Sequence, residues 1–216
     1  MGGNATDWVA GKLATEYGLK VVNRTPENFL VVESVGNYTF VVAVLGVPKE
    51  KEVGLSDVEP LFAGTVKPQF VVNVPSSTLW SGAAIHRIHA ASASFGKLGD
   101  VSRAACTKNA GSYRDKNMGF FIRAMKQHSN VSSVTYRYET VFKVDRRSGA
   151  SLVVAVIDAY NMSAEDVRNA RDRFGHFDVV VKASSYGSIT PQAEAAATSM
   201  GAQALSVGDL LRRLAK

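Results

Sequence analysis

The chain has 216 residues, 46% hydrophobic and 20% charged, which excludes wholesale disorder and fits one large domain or two small ones. No apolar run reaches the roughly 18 residues of a membrane helix. The start Met1-Gly2-Gly3-Asn4 lacks the basic and apolar regions of a secretory signal, so a cytoplasmic protein without membrane attachment is the expectation. A single cysteine, Cys106, excludes an intramolecular disulfide framework and a cysteine-rich zinc site. The net charge of +6 is unevenly placed. Residues 1–106 carry nine Lys and Arg against nine Asp and Glu; residues 107–216 carry sixteen against ten.

Taken in chain order, Val9, Leu13 and Tyr17 at helical spacing predict a first helix with Thr6 as its N-cap. Two strands follow, 29–35 and 38–47, joined by the hairpin turn Gly36-Asn37. A short helix headed by Ser56-Asp57-Val58 leads to a buried strand over 70–74. His86 and His89 lie three apart on a further helix, a spacing that can share a metal. No carboxylate is near them in sequence and Arg87 lies between, so a surface or partner-binding face is the reading. Gly96 and Gly99 leave no room for a strand between them, so the first sheet is expected to be one strand shorter than the second. Polar residues 107–117 read as an exposed linker, and Cys106 at its edge as a buried or incidental thiol.

Beyond the linker, Phe121 and Met125 mark another helix. Strands 133–144 and 151–157 flank the turn Arg147-Ser148-Gly149. Ser163 and Asp166 have the spacing of a capping box, and 179–182 is a second short buried strand. Thr190-Pro191 opens an Ala-rich helix that stops at Gly201. A last strand, 203–206, runs into a terminal helix with Leu210, Leu211 and Leu214.

The two halves match each other. Tyr38-Thr-Phe-Val-Val-Ala-Val44 answers Ala150-Ser-Leu-Val-Val-Ala-Val156, and Ser56-Asp57-Val58 answers Glu165-Asp166-Val167. Gln69-Phe-Val-Val-Asn-Val-Pro-Ser-Ser77 answers Phe177-Asp-Val-Val-Val-Lys-Ala-Ser-Ser185, and Leu98-Gly99-Asp100-Val101 answers Val207-Gly208-Asp209-Leu210. Four matches in one order, at offsets of 108 to 112, predict a duplicated α/β unit. The expected domains are 1–106, with the shorter sheet, and 118–216, with 107–117 between them.

The stretch from Phe177 to Leu214 resembles the C-terminal end of the restriction endonuclease-like superfamily, in particular its Mrr-type members. The residues that carry the likeness are Val179-Val180-Val181, Ser184-Ser185, Thr190-Pro-Gln-Ala-Glu-Ala, Met200-Gly201, Ala204-Leu205 and Gly208-Asp209-Leu210-Leu211. Upstream, Leu152-Val-Val and Ser163-Ala-Glu-Asp-Val167 look like the family's central strand and following helix. The resemblance implies an α/β fold with mixed sheets flanked by helices; the repeat adds the expectation of two tandem units related by a pseudo-two-fold axis. The resemblance also implies metal chemistry that needs a carboxylate on the second strand and an acid-x-Lys or Gln-x-Lys on the third, holding Mg²⁺. Neither Val41-Val42-Ala43-Val44-Leu45-Gly46 nor Val153-Val154-Ala155-Val156-Ile157-Asp158 contains that pattern. Both units therefore read as catalytically degenerate, with no metal site and no cofactor. The alternative is an active Mg²⁺-dependent nuclease with a rearranged site built from Asp145, Asp158 and Lys143, or a lysine migrated from Lys182. Glu33 is the acid at the corresponding place in the first half.

The leading expectation is a nucleic-acid-binding or complex-assembly protein. DNA is the expected partner, held through the second half, with a protein partner or a second copy as the other form of assembly. Arg114, Lys116, Arg123 and Lys126 form one basic group and Arg137, Arg146 and Arg147 another, the footprint of a polyanion partner; a solvated basic face is the bland alternative. Ser76-Ser77 and Ser184-Ser185 follow buried strands at matching places. They are candidate phosphate or ligand loops for a third reading, a scaffold or sensor that binds a small anionic ligand. Trp8, Trp80, Phe120 and Phe121 read as core or subunit contacts rather than base-stacking platforms. No phosphate-binding loop with Gly-Lys-Ser/Thr and no Gly-x-Gly-x-x-Gly occurs.

Overall fold

The computed structural model describes residues 3–34 and 36–215, without the side chains of residues 3 and 4; Val35, the end of one expected strand, lies outside the described residues. The fold is mixed α/β, and the chain divides into two compact units, residues 1–114 and 115–216.

The first unit runs α1 (Gly3–Tyr17), β1 (Lys20–Arg24), β2 (Leu30–Glu33), β3 (Thr39–Leu45), β4 (Glu52–Val53) and α2 (Leu55–Val58). It continues through β5 (Phe70–Asn73), β6 (Leu79–Trp80), α3 (Gly82–Ala90), β7 (Ser94–Gly96) and α4 (Leu98–Cys106), with 3₁₀ turns at Glu59–Phe62 and Ala110–Ser112. Its main sheet has the order β1-β2-β3-β5-β7. The first three strands are antiparallel and the last three parallel. β4 and β6 form a separate parallel pair. One face of the sheet buries Leu30, Val32, Phe40, Val42, Phe70 and Val72 against Val9 and Leu13 of α1 and Val101, Ala104 and Ala105 of α4. The alternating residues Ala43 and Val71 are also fully buried, as are Ala84, Ile85 and Ile88 of α3. A strand buried on both faces has to be apolar at every position, which Phe-Val-Val of β5 satisfies.

The second unit runs α5 (Lys116–Gln127), β8 (Val131–Tyr138), β9 (Val141–Arg146), β10 (Leu152–Ile157), α6 (Ala164–Phe174), β11 (Val179–Lys182), α7 (Pro191–Ser199), β12 (Gln203–Ser206) and α8 (Val207–Leu214). The sheet order is β8-β9-β10-β11-β12, again antiparallel for the first three and parallel for the last three. Met118, Phe121 and Met125 of α5 and Leu210 and Leu214 of α8 cover one face. Val167 and Ala170 of α6, with Ala193, Ala196 and Ala197 of α7, cover the other. The caps are those the sequence calls for. Ser163 and Asp166 close a capping box on α6, and Thr190 Oγ1 accepts from Ala193 N at 3.2 Å. Gly201, at φ 71°, takes the left-handed position after α7.

Four expectations are corrected. The first sheet is not one strand shorter: β7 supplies its fifth strand, with Gly96 as the last residue, paired to Val72. Residues 133–144 are not one strand but the hairpin β8–β9, turning at Glu139-Thr140, with β-bulges in β8. Thr6 lies inside α1 rather than capping it. Residues 107–114 are not an exposed linker. Ala110 and Tyr113 are in the first core, and buried Ser94 Oγ donates to the carbonyls of Gly111 and Tyr113 at 2.9 and 2.8 Å. The boundary between units falls at Arg114/Asp115 instead.

Gly111 shows how tightly that segment is held, because a Cβ there would stand 2.3 Å from the Ser92 carbonyl oxygen. Gly111→Ala should destabilise the protein by about 1–3 kcal/mol, the usual cost of overpacking. A lowered urea midpoint by circular dichroism is the expected reading; an exposed linker would leave the midpoint unchanged.

Candidate functional site

Of the acids and lysines of the nuclease alternative, Asp145 and Lys143 come together, whereas Asp158 and Lys182 stand apart from them. Asp145, on β9, accepts from Ser133 Oγ at 2.7 Å and Ser151 Oγ at 2.6 Å, and its carboxylate lies 2.8 Å from Lys143 Nζ. The Lys143 ammonium, then the two hydroxyls, hold the Asp145 carboxyl well below the usual carboxylate range. Asp158 is exposed and follows the last residue of β10, whereas Ser151, which holds Asp145, precedes the first. Six strand residues separate those ends, or roughly 20 Å at the usual rise, too far for one ion. Lys182 is buried, 4% exposed, and donates to the carbonyls of Ser184 (2.6 Å) and Tyr186. That lysine holds its own loop. Glu33 ends β2, half-buried. Among the described residues no three His, Cys, Asp or Glu side chains group as a metal set.

The expected basic residues separate into two kinds. Arg114 belongs to the first unit, where its guanidinium donates to Ser94 Oγ at 3.0 Å and to the Tyr113 carbonyl. Arg146 Nε donates to the Ala150 carbonyl at 2.6 Å and pins the β9–β10 turn. Lys116, Arg123, Lys126, Arg137 and Arg147 are exposed, and none pairs with a carboxylate among the described residues. On α5, Met118, Phe121 and Met125 turn inward. Lys116, Phe120 and Arg123, at i, i+4 and i+7, therefore share the solvent stripe, with Lys126 beside it. Phe120 is 49% exposed, so it is no core residue; Trp80 and Phe121 are.

Of the four loop serines, Ser76, Ser77 and Ser185 are exposed, while Ser184 Oγ accepts from Tyr186 N at 3.1 Å. Ser76 opens onto a cleft of about 570 Å³ within the first unit, at the carboxyl end of β5. Trp8 and Tyr17 of α1 line it, with Lys97 and Gly99 at the start of α4 and Arg103 in its last turn. Asn73, 3% exposed, sets its floor: Nδ2 donates to the carbonyls of Val47 (3.0 Å) and Pro75 (3.1 Å), and Oδ1 accepts from Val47 N at 2.9 Å. Asp100 is fully engaged, accepting from Lys97 N, Arg103 and the Tyr113 hydroxyl. Burial, helped by the bond to Asp100, pushes the Tyr113 pKa up and keeps that phenol neutral. Trp8, expected as a core or subunit contact, is 46% exposed and lines this cleft; Lys97 and Arg103 went unmarked in the sequence because a cleft gathers residues from α1, β5 and α4, far apart in the chain.

Tyr160 and Tyr186, 70% and 75% exposed, were also missed. They ride on two loops tied together by Ser188 N donating to Asn161 Oδ1 at 2.9 Å and by the paired Met162 and Ile189. Cys106 is exposed, contrary to a buried thiol. No helix among the described residues is long and apolar enough to cross a membrane. Compared with protein-family models, with curated proteins and with solved structures, the chain finds no match in any of the three.

His86 and His89 do not act as a pair. His86 is exposed, while the His89 ring stands 5.7 Å from Phe95. Burial, then the positive charge of Arg114 and the nearby His86, pushes the His89 pKa from 6.5 down to about 3. Between those values the unfolded chain binds a proton that the folded ring refuses, so stability is present above pH 6.5 and falls as pH drops toward 3. Urea midpoints at pH ~4.5 and ~7.5 should differ in the wild type, and the difference should shrink in His89→Gln.

Proposed function

We propose that the chain is a nucleic-acid-binding protein built from two restriction endonuclease-like units that lack the family's acid-x-Lys site. The observation that carries the reading is the solvent face of α5, where Lys116, Arg123 and Lys126 lie around an exposed Phe120 and form no ion pair among the described residues. An unneutralised cationic helix face with an aromatic among its charges suits a phosphate backbone with bases within reach. Duplication is supported by where the four sequence matches fall: on β3 and β10, α2 and α6, β5 and β11, and α4 and α8. The strand order is the same in both sheets. The third strands, β3 and β10, are apolar where the family's chemistry would need charge.

Phosphate contacts of this kind position a protein without reading sequence, so specificity is weak. Arg123→Glu combined with Lys126→Glu should weaken duplex DNA binding and lower the log–log salt slope by roughly 0.9 per lost contact. Arg114→Glu should not act through this face, because its guanidinium is held inside the first unit. Absence of binding by the wild type at low salt would leave the basic face as mere solvation.

Plasmid, linear and single-stranded substrates should stay intact with Mg²⁺ or Mn²⁺. Chelator-sensitive cleavage that disappears in Asp145→Ala or Asp158→Ala would install the nuclease reading instead.

A further inference from the structure

We infer that the cleft of the first unit is a binding site for a small aromatic anion of the nucleoside monophosphate class, separate from the polyanion face of α5. Its volume of about 570 Å³ falls within the range of small-molecule sites. The lining combines aromatic and cationic residues. Trp8, which leaves 46% of its surface in solvent, and Tyr17 both come from α1. A tryptophan so exposed beside the fully buried Val9 and Leu13 stripe lends the core little, and it offers a flat face for a ring. Ser76, Lys97 and Arg103 supply the polar part of the same lining.

The charge balance selects an anion. Asp100 is the acid in this lining, and its two oxygens are taken by Lys97 N, the Arg103 guanidinium and the Tyr113 hydroxyl. Arg103 is thereby neutralised, and Lys97 is left exposed with no ion-pair partner among the described residues. The cleft thus carries one uncompensated positive charge a short reach from an indole. Rigid support is also present. Asn73 holds the Val47 and Pro75 backbones, and Thr78 Oγ1 donates to the same Val47 carbonyl at 2.9 Å, so the loop bearing Ser76 is braced from beneath.

Gly99 keeps the cleft open. The nearest atoms to a Cβ there would be the Arg103 guanidinium and the Tyr17 ring, at 3.8 Å, so a side chain fits the fold but occupies the ligand's space.

The test uses the full chain with adenosine monophosphate, adenosine and inorganic phosphate as probes. The chain has two tryptophans, and Trp80 is 5% exposed, so fluorescence quenching reports on Trp8. The monophosphate should quench saturably, raise the melting temperature and bind more tightly than either fragment. Lys97→Glu should weaken it by about tenfold or more, and Gly99→Leu should abolish binding with the melting temperature of the free protein kept. Trp8→Ala should weaken the monophosphate while leaving inorganic phosphate unaffected. The inference fails if the wild type shows no saturable binding at millimolar monophosphate, or if Lys97→Glu and Gly99→Leu bind like the wild type. Equal affinity for the monophosphate and inorganic phosphate would also sink it. The probe is a mononucleotide and the variants lie in the first unit, so this outcome is independent of the DNA test on α5.

Discussion

Parallel pairing of β3 with β5, and of β10 with β11, imposes the layout of each unit. Parallel neighbours cannot be joined by a tight turn; the chain must cross back over the sheet, and the crossover covers a face. The central strands are buried or half-buried over most of their length, which favours apolar residues there. That preference explains why Val-Val-Ala-Val recurs in β3 and β10.

Polar function is therefore pushed to the strand ends. β5 closes with Asn73 and β11 with Lys182, which pair with Leu45 and Ile157 at corresponding positions. Both side chains are buried: Lys182 donates to carbonyls of the loop that follows β11, and Asn73 bonds the Pro75 carbonyl after β5 and the Val47 backbone after β3. An unsatisfied polar group there would cost roughly 1–3 kcal/mol, so the loops are fixed by the need to satisfy them. In the first unit the braced loop presents Ser76 to the cleft; in the second it presents Tyr186 to solvent.

Charge in this chain is sorted by what each cation holds. Arg114, Arg146 and Lys182 look equivalent to Arg123 or Lys126 in a count, yet their donors close turns and loops within a unit. On the outer face of α5, opposite Met118, Phe121 and Met125, Lys116, Arg123 and Lys126 stay exposed and form no ion pair among the described residues.

The mixed α/β class and the type of most elements were legible in the sequence because they depend on local periodicity and capping. Val-Val-Ala-Val, Ser163 with Asp166, Thr190-Pro191 and Gly201 act over a few residues, and each does in the fold what its spacing implies. The failures lay where strands were short or contacts were long-range. Three-residue β7 has no periodicity to read, and residues 110–113 look like a linker until Ser94 is seen to bind their carbonyls. The separation of Asp145 from Asp158, the withdrawal of Arg114 and the gathering of Trp8, Ser76, Lys97 and Arg103 around one cleft were decided by tertiary structure alone. Convergence of side chains distant in the chain depends on how sheets and helices pack, which no local pattern encodes.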